Sequence, residues 1–291
     1  MQGIIIENIS NLYKIKCEDR IYTATARGKL KQDEISPVVG DVVELEEVNE
    51  EKQEAVIEKI CERKNYIKRP KVSNITQLIF VLSSKHPKPD LLMLDKQLAF
   101  AEFLEVKSVI VLNKIDLDEK TEFKKIKSVY EKIGYDVVET QANSGLGVKK
   151  LNKLMENNIN VFSGNSGVGK STLINSIFSK DITLEGEISQ KNKRCKNTTT
   201  SVKLYEINFN TYIADTPGFS TFDISEIESK DLYKYFKEFS DENCKYVGCT
   251  HIKEEDCGIK QDVKSGKIDE GRYERFCKIY NELKEGENRK W

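Results

Sequence analysis

Gly164-Asn165-Ser166-Gly167-Val168-Gly169-Lys170-Ser171 has the spacing G-x-x-x-x-G-K-S of a phosphate-binding loop. Such a loop works through its backbone: glycines let successive N–H groups turn inward around phosphate oxygens, where a helix N-terminus adds its dipole. The apolar run NINVFSG precedes the loop and STLINSIF, which reads as a helix, follows it, so the strand–loop–helix context is the required one. Gly164, Asn165, Ser166, Gly167, Val168 and Gly169 are expected to line the phosphates. Lys170 reaches the β- and γ-phosphates, the Ser171 hydroxyl is positioned for Mg²⁺, and Thr172 completes the set.

This loop normally opens a nucleotide-binding domain, yet 163 residues come before it. The motif that selects the base is among them. Asn113-Lys114-Ile115-Asp116 follows the apolar run SVIVL, at a strand end where ligand sites are built. A carboxylate at Asp116 accepts two hydrogen bonds from guanine, at N1–H and the exocyclic amine. Adenine offers no such pair, and an unpaired carboxylate costs about 1–3 kcal/mol or more. Lys114 is expected along the base plane, with Asn113 tying loops together. Gln141-Ala142-Asn143 reads as the second base loop, the Ala142 N–H facing guanine O6.

After the loop, Asp215-Thr216-Pro217-Gly218 ends the strand TYIA. Asp215 fits a water-mediated Mg²⁺ contact and the Gly218 N–H fits the γ-phosphate, which makes the next residues a switch. Lys196-Asn197-Thr198-Thr199-Thr200 offers the remaining Mg²⁺ and γ-phosphate ligand, Thr199 before Thr198. The order is therefore base motif, base loop, phosphate loop, switch threonine, DxxG, with Asn113 coming 51 residues before Gly164. An ordinary GTPase runs phosphate loop first. This is a circularly permuted GTPase domain, expected over residues 69–222. Lys170, Thr199 and Gly218 are its candidate catalytic groups.

Two further domains flank it. Residues 1–68 hold five short alternating segments, GIIIENIS, LYKIKCED, RIYTATARGKL, GDVVELEEV and EAVIEKI. Five strands in that length suit a small closed barrel, of which the OB-fold is the commonest; any small β-domain is the plainer alternative. Arg63-Lys64-Asn65-Tyr66-Ile67-Lys68-Arg69-Pro70-Lys71 closes it, either as a solvated linker or as an rRNA-facing patch. Residues 223–291 are mostly helical around Cys244-x₄-Cys249-x-His251-x₅-Cys257. Three thiolates and an imidazole suit one closed, tetrahedral structural Zn²⁺ per chain, with no position left for catalytic water. A disulfide or unrelated thiols are the alternatives. Cys17, Cys61, Cys195 and Cys277 are scattered and expected as reduced thiols.

The 291 residues carry 47 Lys and Arg against 48 Asp and Glu, a net charge of −1, so any nucleic-acid contact has to come from local patches. No run of 18 apolar residues and no charged, signal-like leader occurs, which points to the cytoplasm and away from membranes.

Taken together, the barrel, the permuted GTPase and the Cys₃His segment resemble the RsgA family, bacterial ribosome small-subunit-dependent GTPases that act in assembly. The resemblance covers the full chain and includes GDVVELE, RKNYIKRPKVSNITQ, GNSGVGKSTLIN, DTPGFS and CxxxxCxHxxxxxC. It implies an OB-fold, a GTP/GDP cycle, a monomer, and docking on the small (30S) ribosomal subunit and its 16S rRNA, with hydrolysis licensing release. Two departures stand out. The family usually has histidine where this chain has Asn197, and a serine-led base loop where this chain has Gln141-Ala142-Asn143. Phe219 occupies the place of the water-orienting glutamine in Ras-like enzymes, so turnover is expected to depend on the subunit. The competing readings are an rRNA-docking nucleotide switch with negligible hydrolysis, and a permuted GTPase serving translation or membrane-linked signalling.

Overall fold

The computed structural model describes residues 1–27, 36–68, 70–119, 121–181, 202–215, 224–240 and 243–289. The chain forms two compact units, Met1–Ile79 with Val148–Ser163 and Lys170–Phe219, and Phe80–Gly147 with Gly164–Gly169 and Ser220–Trp291.

The first unit begins with β1 (Gln2–Ile9), β2 (Leu12–Cys17), β3 (Arg20–Ala26), β4 (Val42–Asn49) and β5 (Glu54–Ile60). Period-two alternation sends Ile5, Ile15, Val43 and Ile57 inward, all fully buried, each worth about 1.5–3 kcal/mol of apolar transfer. β3 pairs parallel with β5, β5 antiparallel with β4, and β4 antiparallel with β1. The order β1-β2-β3-β5-β4 thus returns to β1. This is the five-stranded barrel expected from the sequence, closed so that no edge is left open.

The basic stretch after the barrel carries regular structure. It builds a two-stranded ribbon, β6 (Tyr66–Lys68) and β7 (Lys71–Ser73), with Ile67 opposite Val72. Its base is fixed to the barrel by Asp41, which is fully buried. That carboxylate accepts from Arg63 Nε at 2.7 Å and Nη2 at 2.8 Å, from Ser73 Oγ at 2.6 Å and from the Val38 N–H at 2.8 Å. A buried carboxylate so fully saturated is structural.

The chain then alternates strand and helix: β8 (Gln77–Ser83), α1 (Leu91–Phe103), β9 (Lys107–Asn113), α2 (Glu122–Ile133), β10 (Asp136–Thr140), α3 (Val148–Met155), β11 (Ile159–Ser163) and α4 (Lys170–Asp181). β12 (Lys203–Asn208) and β13 (Thr211–Asp215) follow, then α5 (Gly258–Lys264) and α6 (Glu270–Asn288). Every residue of β8 is buried, as a strand covered on both faces must be. In the first unit β11, β13 and β12 lie side by side and β12 runs on to β1, Glu7 opposite Lys203. In the second, β10, β9 and β8 are neighbours. No helix among the described residues is long and apolar enough to cross a membrane.

The C-terminal helix α6 of the second unit is held to α1 by a buried charge cluster. Asp95 of α1 is fully buried and accepts from Arg272 Nη1 at 2.5 Å, from Tyr130 Oη at 2.5 Å and from Arg275 Nε. Arg272, 1% exposed, also holds Glu238 through Nε at 2.7 Å. Burial alone would lower the Arg272 pKa; Asp95 and Glu238 overcome it and raise it. Buried ions persist only when paired this fully.

Candidate nucleotide site and metal centre

Asn113 ends β9 and Thr140 ends β10, and the parallel register sets the two residues opposite each other. Thr140 Oγ1 therefore donates to Asn113 Oδ1 at 3.0 Å, which orients the amide. The Ala142 N–H donates to the same oxygen at 3.3 Å. Asn113 Nδ2 then donates to the Val168 carbonyl of the phosphate loop at 2.9 Å. One buried side chain joins base motif, base loop and phosphate loop. Gly169 is glycine for this reason: at φ +97° a Cβ there would stand 2.4 Å from Asn113 Nδ2. Gly164 is under the same constraint, its Cβ position lying 2.3 Å from the Val81 carbonyl oxygen.

Lys114 follows in a left-handed conformation, φ +61°. Its Nζ donates to the Gly167 carbonyl at 2.6 Å, so the aliphatic stem spans from the base motif to the phosphate loop. Asp116 sits exposed in the 3₁₀ turn Ile115–Leu117. The Gln141 N–H closes its loop on the Leu146 carbonyl at 3.1 Å. Asn113, Lys114, Asp116, Gln141, Ala142 and Gly164–Gly169 all belong to the second unit.

Lys170, Ser171, Thr172 and Asp215 belong to the first. There β11 and β13 run parallel, Val161 opposite Ala214, so both strands end at one edge of the sheet. The phosphate loop leaves that end of β11 and Asp215 terminates β13. Lys170 is the first residue of α4, half-buried, and burial pushes its ammonium down. Asp215 keeps solvent-facing surface, yet partial desolvation pushes its carboxyl up. A cation held out of water and a carboxylate at the same edge suit phosphate and a divalent ion. Thr199, with Thr198 and Asn197, and Gly218, with Phe219, lie outside the described residues.

Cys244, Cys249, His251 and Cys257 come together as a cluster that can hold a metal, their ligating atoms all within 4.8 Å of one another. His251 Nδ1 stands 3.5 Å from Cys244 Sγ and 3.4 Å from Cys257 Sγ, and those two sulfurs are 3.9 Å apart. A tetrahedral ion with bonds of about 2.3 Å to sulfur and about 2.0–2.1 Å to nitrogen requires edges of about 3.8 Å and about 3.6 Å. The donor set fits. Burial pushes the Cys249 thiol up to about 12 and raises Cys257 as well; a divalent cation between them would reverse both directions. The loop is braced from outside. Tyr273 Oη of α6 donates to the His251 carbonyl at 2.7 Å, and the Tyr233 ring meets the imidazole edge-on at 4.7 Å.

Sequence reasoning did not find Thr140, the Asp95–Arg272 pair, or the residues Ser84 and His86 that touch Lys114. For Thr140 a signal existed in its position at the end of an apolar strand. For the others none did, because each acts across a long stretch of chain.

A family model for the RsgA GTPase matches residues 60–225, and one for the RsgA N-terminal domain matches residues 2–57. A small ribosomal subunit biogenesis GTPase RsgA of Caldanaerobacter subterraneus subsp. tengcongensis is 39% identical over 293 residues, covering 100% of this chain and 98% of that protein. Among solved structures, YjeQ from Thermotoga maritima superposes with a TM-score of 0.84 at 34% identity, covering 97% of this chain and 98% of its own. YloQ, described as a circularly permuted GTPase, gives a TM-score of 0.82 at 28% identity, with 98% and 95% covered.

Proposed function

The chain belongs to the RsgA GTPase family, and we propose that it hydrolyses GTP as a late maturation factor of the small (30S) ribosomal subunit, docking on 16S rRNA as a monomer in the cytoplasm. The observation that carries this reading is Asn113, whose single amide joins the base motif, the base loop and the phosphate loop. Three modules share the work: residues 1–68 for RNA contact, 69–222 for the nucleotide, 223–291 around the metal.

In this account Asp116 accepts the guanine N1–H and amine, and the Ala142 N–H passes from Asn113 to guanine O6. The Lys114 stem lies along the base. Backbone groups of Gly164–Gly169 surround the phosphates, Lys170 reaches the β- and γ-phosphates, and Thr172 closes the helix end. Ser171, Thr199 and Asp215 are the residues that would hold magnesium arriving with the nucleotide, which supplies neutralisation of the phosphate charge. The Gly218 N–H senses the γ-phosphate. Cys244, Cys249, His251 and Cys257 hold one structural zinc.

Asn197 and Phe219 favour a second reading, a docking switch that turns over negligibly, since neither side chain acts as a base. Both readings share nucleotide-gated docking, and pelleting with purified small subunits tests it. Retention with a non-hydrolysable GTP analogue and release with GDP is the expected result. Equal retention in both states contradicts the proposal.

A further inference from the structure

The segment after β8 belongs to no nucleotide motif, yet it wraps Lys114. Ser84 Oγ donates to the Lys114 carbonyl at 3.3 Å. Lys114 Nζ donates to the His86 carbonyl at 3.1 Å while also holding Gly167. The segment also abuts the phosphate loop, since a Cβ on Gly167 would lie 3.7 Å from Pro87 Cδ and 3.8 Å from the His86 oxygen.

His86 and Lys114 are both left-handed, at φ +48° and +61°. Residues with a Cβ adopt that region at a cost, and only where the surroundings over-determine it. Here the cost has an evident return. The left-handed turn at His86 aims its carbonyl at Lys114 Nζ, and the left-handed turn at Lys114 sends the side chain back toward it. A lysine held at both ends has already given up much of its rotamer freedom, so less remains to be lost when a ligand is bound.

We infer that His86 is a positioning residue for the nucleotide: its backbone carbonyl pins Lys114 with the stem laid across the groove where the purine stacks. The inference rests on reading Asn113–Asp116 as the guanine site. It makes a specific demand on residue type. The His86 imidazole is exposed, so what residue 86 supplies is tolerance of positive φ, which glycine and asparagine share and β-branched residues lack.

The test is the dissociation rate of a fluorescent GDP from the full chain carrying His86→Gly, His86→Asn, His86→Val, Lys114→Ala, or His86→Val with Lys114→Ala. His86→Gly and His86→Asn are expected within about twofold of wild type. His86→Val is expected about five- to tenfold faster, and to add nothing once Lys114 is alanine, because the two act through one contact. A purely structural role would give additive effects, and additivity overturns the inference. So does a wild-type rate for His86→Val, or a loss in His86→Gly equal to that in His86→Val. If Lys114→Ala itself leaves the rate unchanged, the guanine-site reading fails and the inference falls with it. Should His86→Val fold poorly, His86→Ala carries the same positive φ without branching and is expected at an intermediate rate.

Discussion

Asn113 and Val168 stand 55 residues apart in the chain, and the amide of one donates to the carbonyl of the other at 2.9 Å. In a GTPase read from its phosphate loop, that contact would run forward. Here it runs backward. Since Asn113 and Val168 meet within one compact unit whatever the order in which the chain visits them, cutting and rejoining the chain elsewhere leaves the contact intact.

Asn113→Ala removes the amide and strands the buried Thr140 hydroxyl and the Val168 carbonyl. Each unsatisfied group costs about 1–3 kcal/mol, so guanine nucleotide affinity is expected to fall at least about tenfold. Calorimetric titration with GDP checks this, and an unchanged affinity would remove Asn113 from the site.

The buried cluster on α1 makes a stability prediction with a built-in control. Asp95→Ala leaves Arg272, 1% exposed, with Glu238 alone and takes the buried acceptor from Tyr130 and Arg275 as well, and is expected to cost about 3–5 kcal/mol. Glu50→Ala breaks an ion pair between Arg20 and Glu50, whose side chains are 57% and 70% exposed, and is expected to leave the urea midpoint nearly where it was. Urea unfolding of both variants gives the comparison.

One zinc per chain is expected by elemental analysis of protein purified without added metal, and none in Cys257→Ser. Metal removal by a strong chelator is expected to lower the thermal midpoint of the wild type, and to leave Cys257→Ser where it was. A metal-free wild type with an unaltered midpoint contradicts a structural role.

Glu254 braces the loop of the Cys₃His cluster by accepting from the Thr250 N–H and Oγ1, both at 2.9 Å, and from the Ile252 and Lys253 N–H groups at 3.1 Å. Burial alone would raise its pKa, but these donors bring it down to about 2 from an ordinary 4.5. The carboxylate is favoured by folding, so its stabilisation is complete above about 4.5 and fades as pH falls toward about 2. A carbon-detected NMR titration of the carboxyl is expected to give a midpoint near 2; one near the ordinary value contradicts the bracing.

Much of this was legible before the fold. The five barrel segments, the uninterrupted run QLIFVLS and the Cys₃His spacing announce themselves because each depends on local pattern: period two, burial on both faces, ligands within one loop. The ribbon at 66–73 was half-visible. Its charge suggested a linker or patch, while Arg69-Pro70 between Ile67 and Val72 was the turn signal that pairing needed. The contacts of Asp95 with Arg272, and of His86 with Lys114, left no trace in the sequence. They join residues 177 and 28 apart through geometry that only tertiary packing creates.

Steady-state GTP hydrolysis, with and without purified small ribosomal subunits and with Lys170→Ala as the blank, tests the central claim most directly. A slow basal rate raised about a hundredfold by the subunits, and abolished in Lys170→Ala, is the predicted result. A rate that the subunits leave flat would contradict it and leave a docking switch without useful catalysis, with Asn197 and Phe219 as the residues to exchange next.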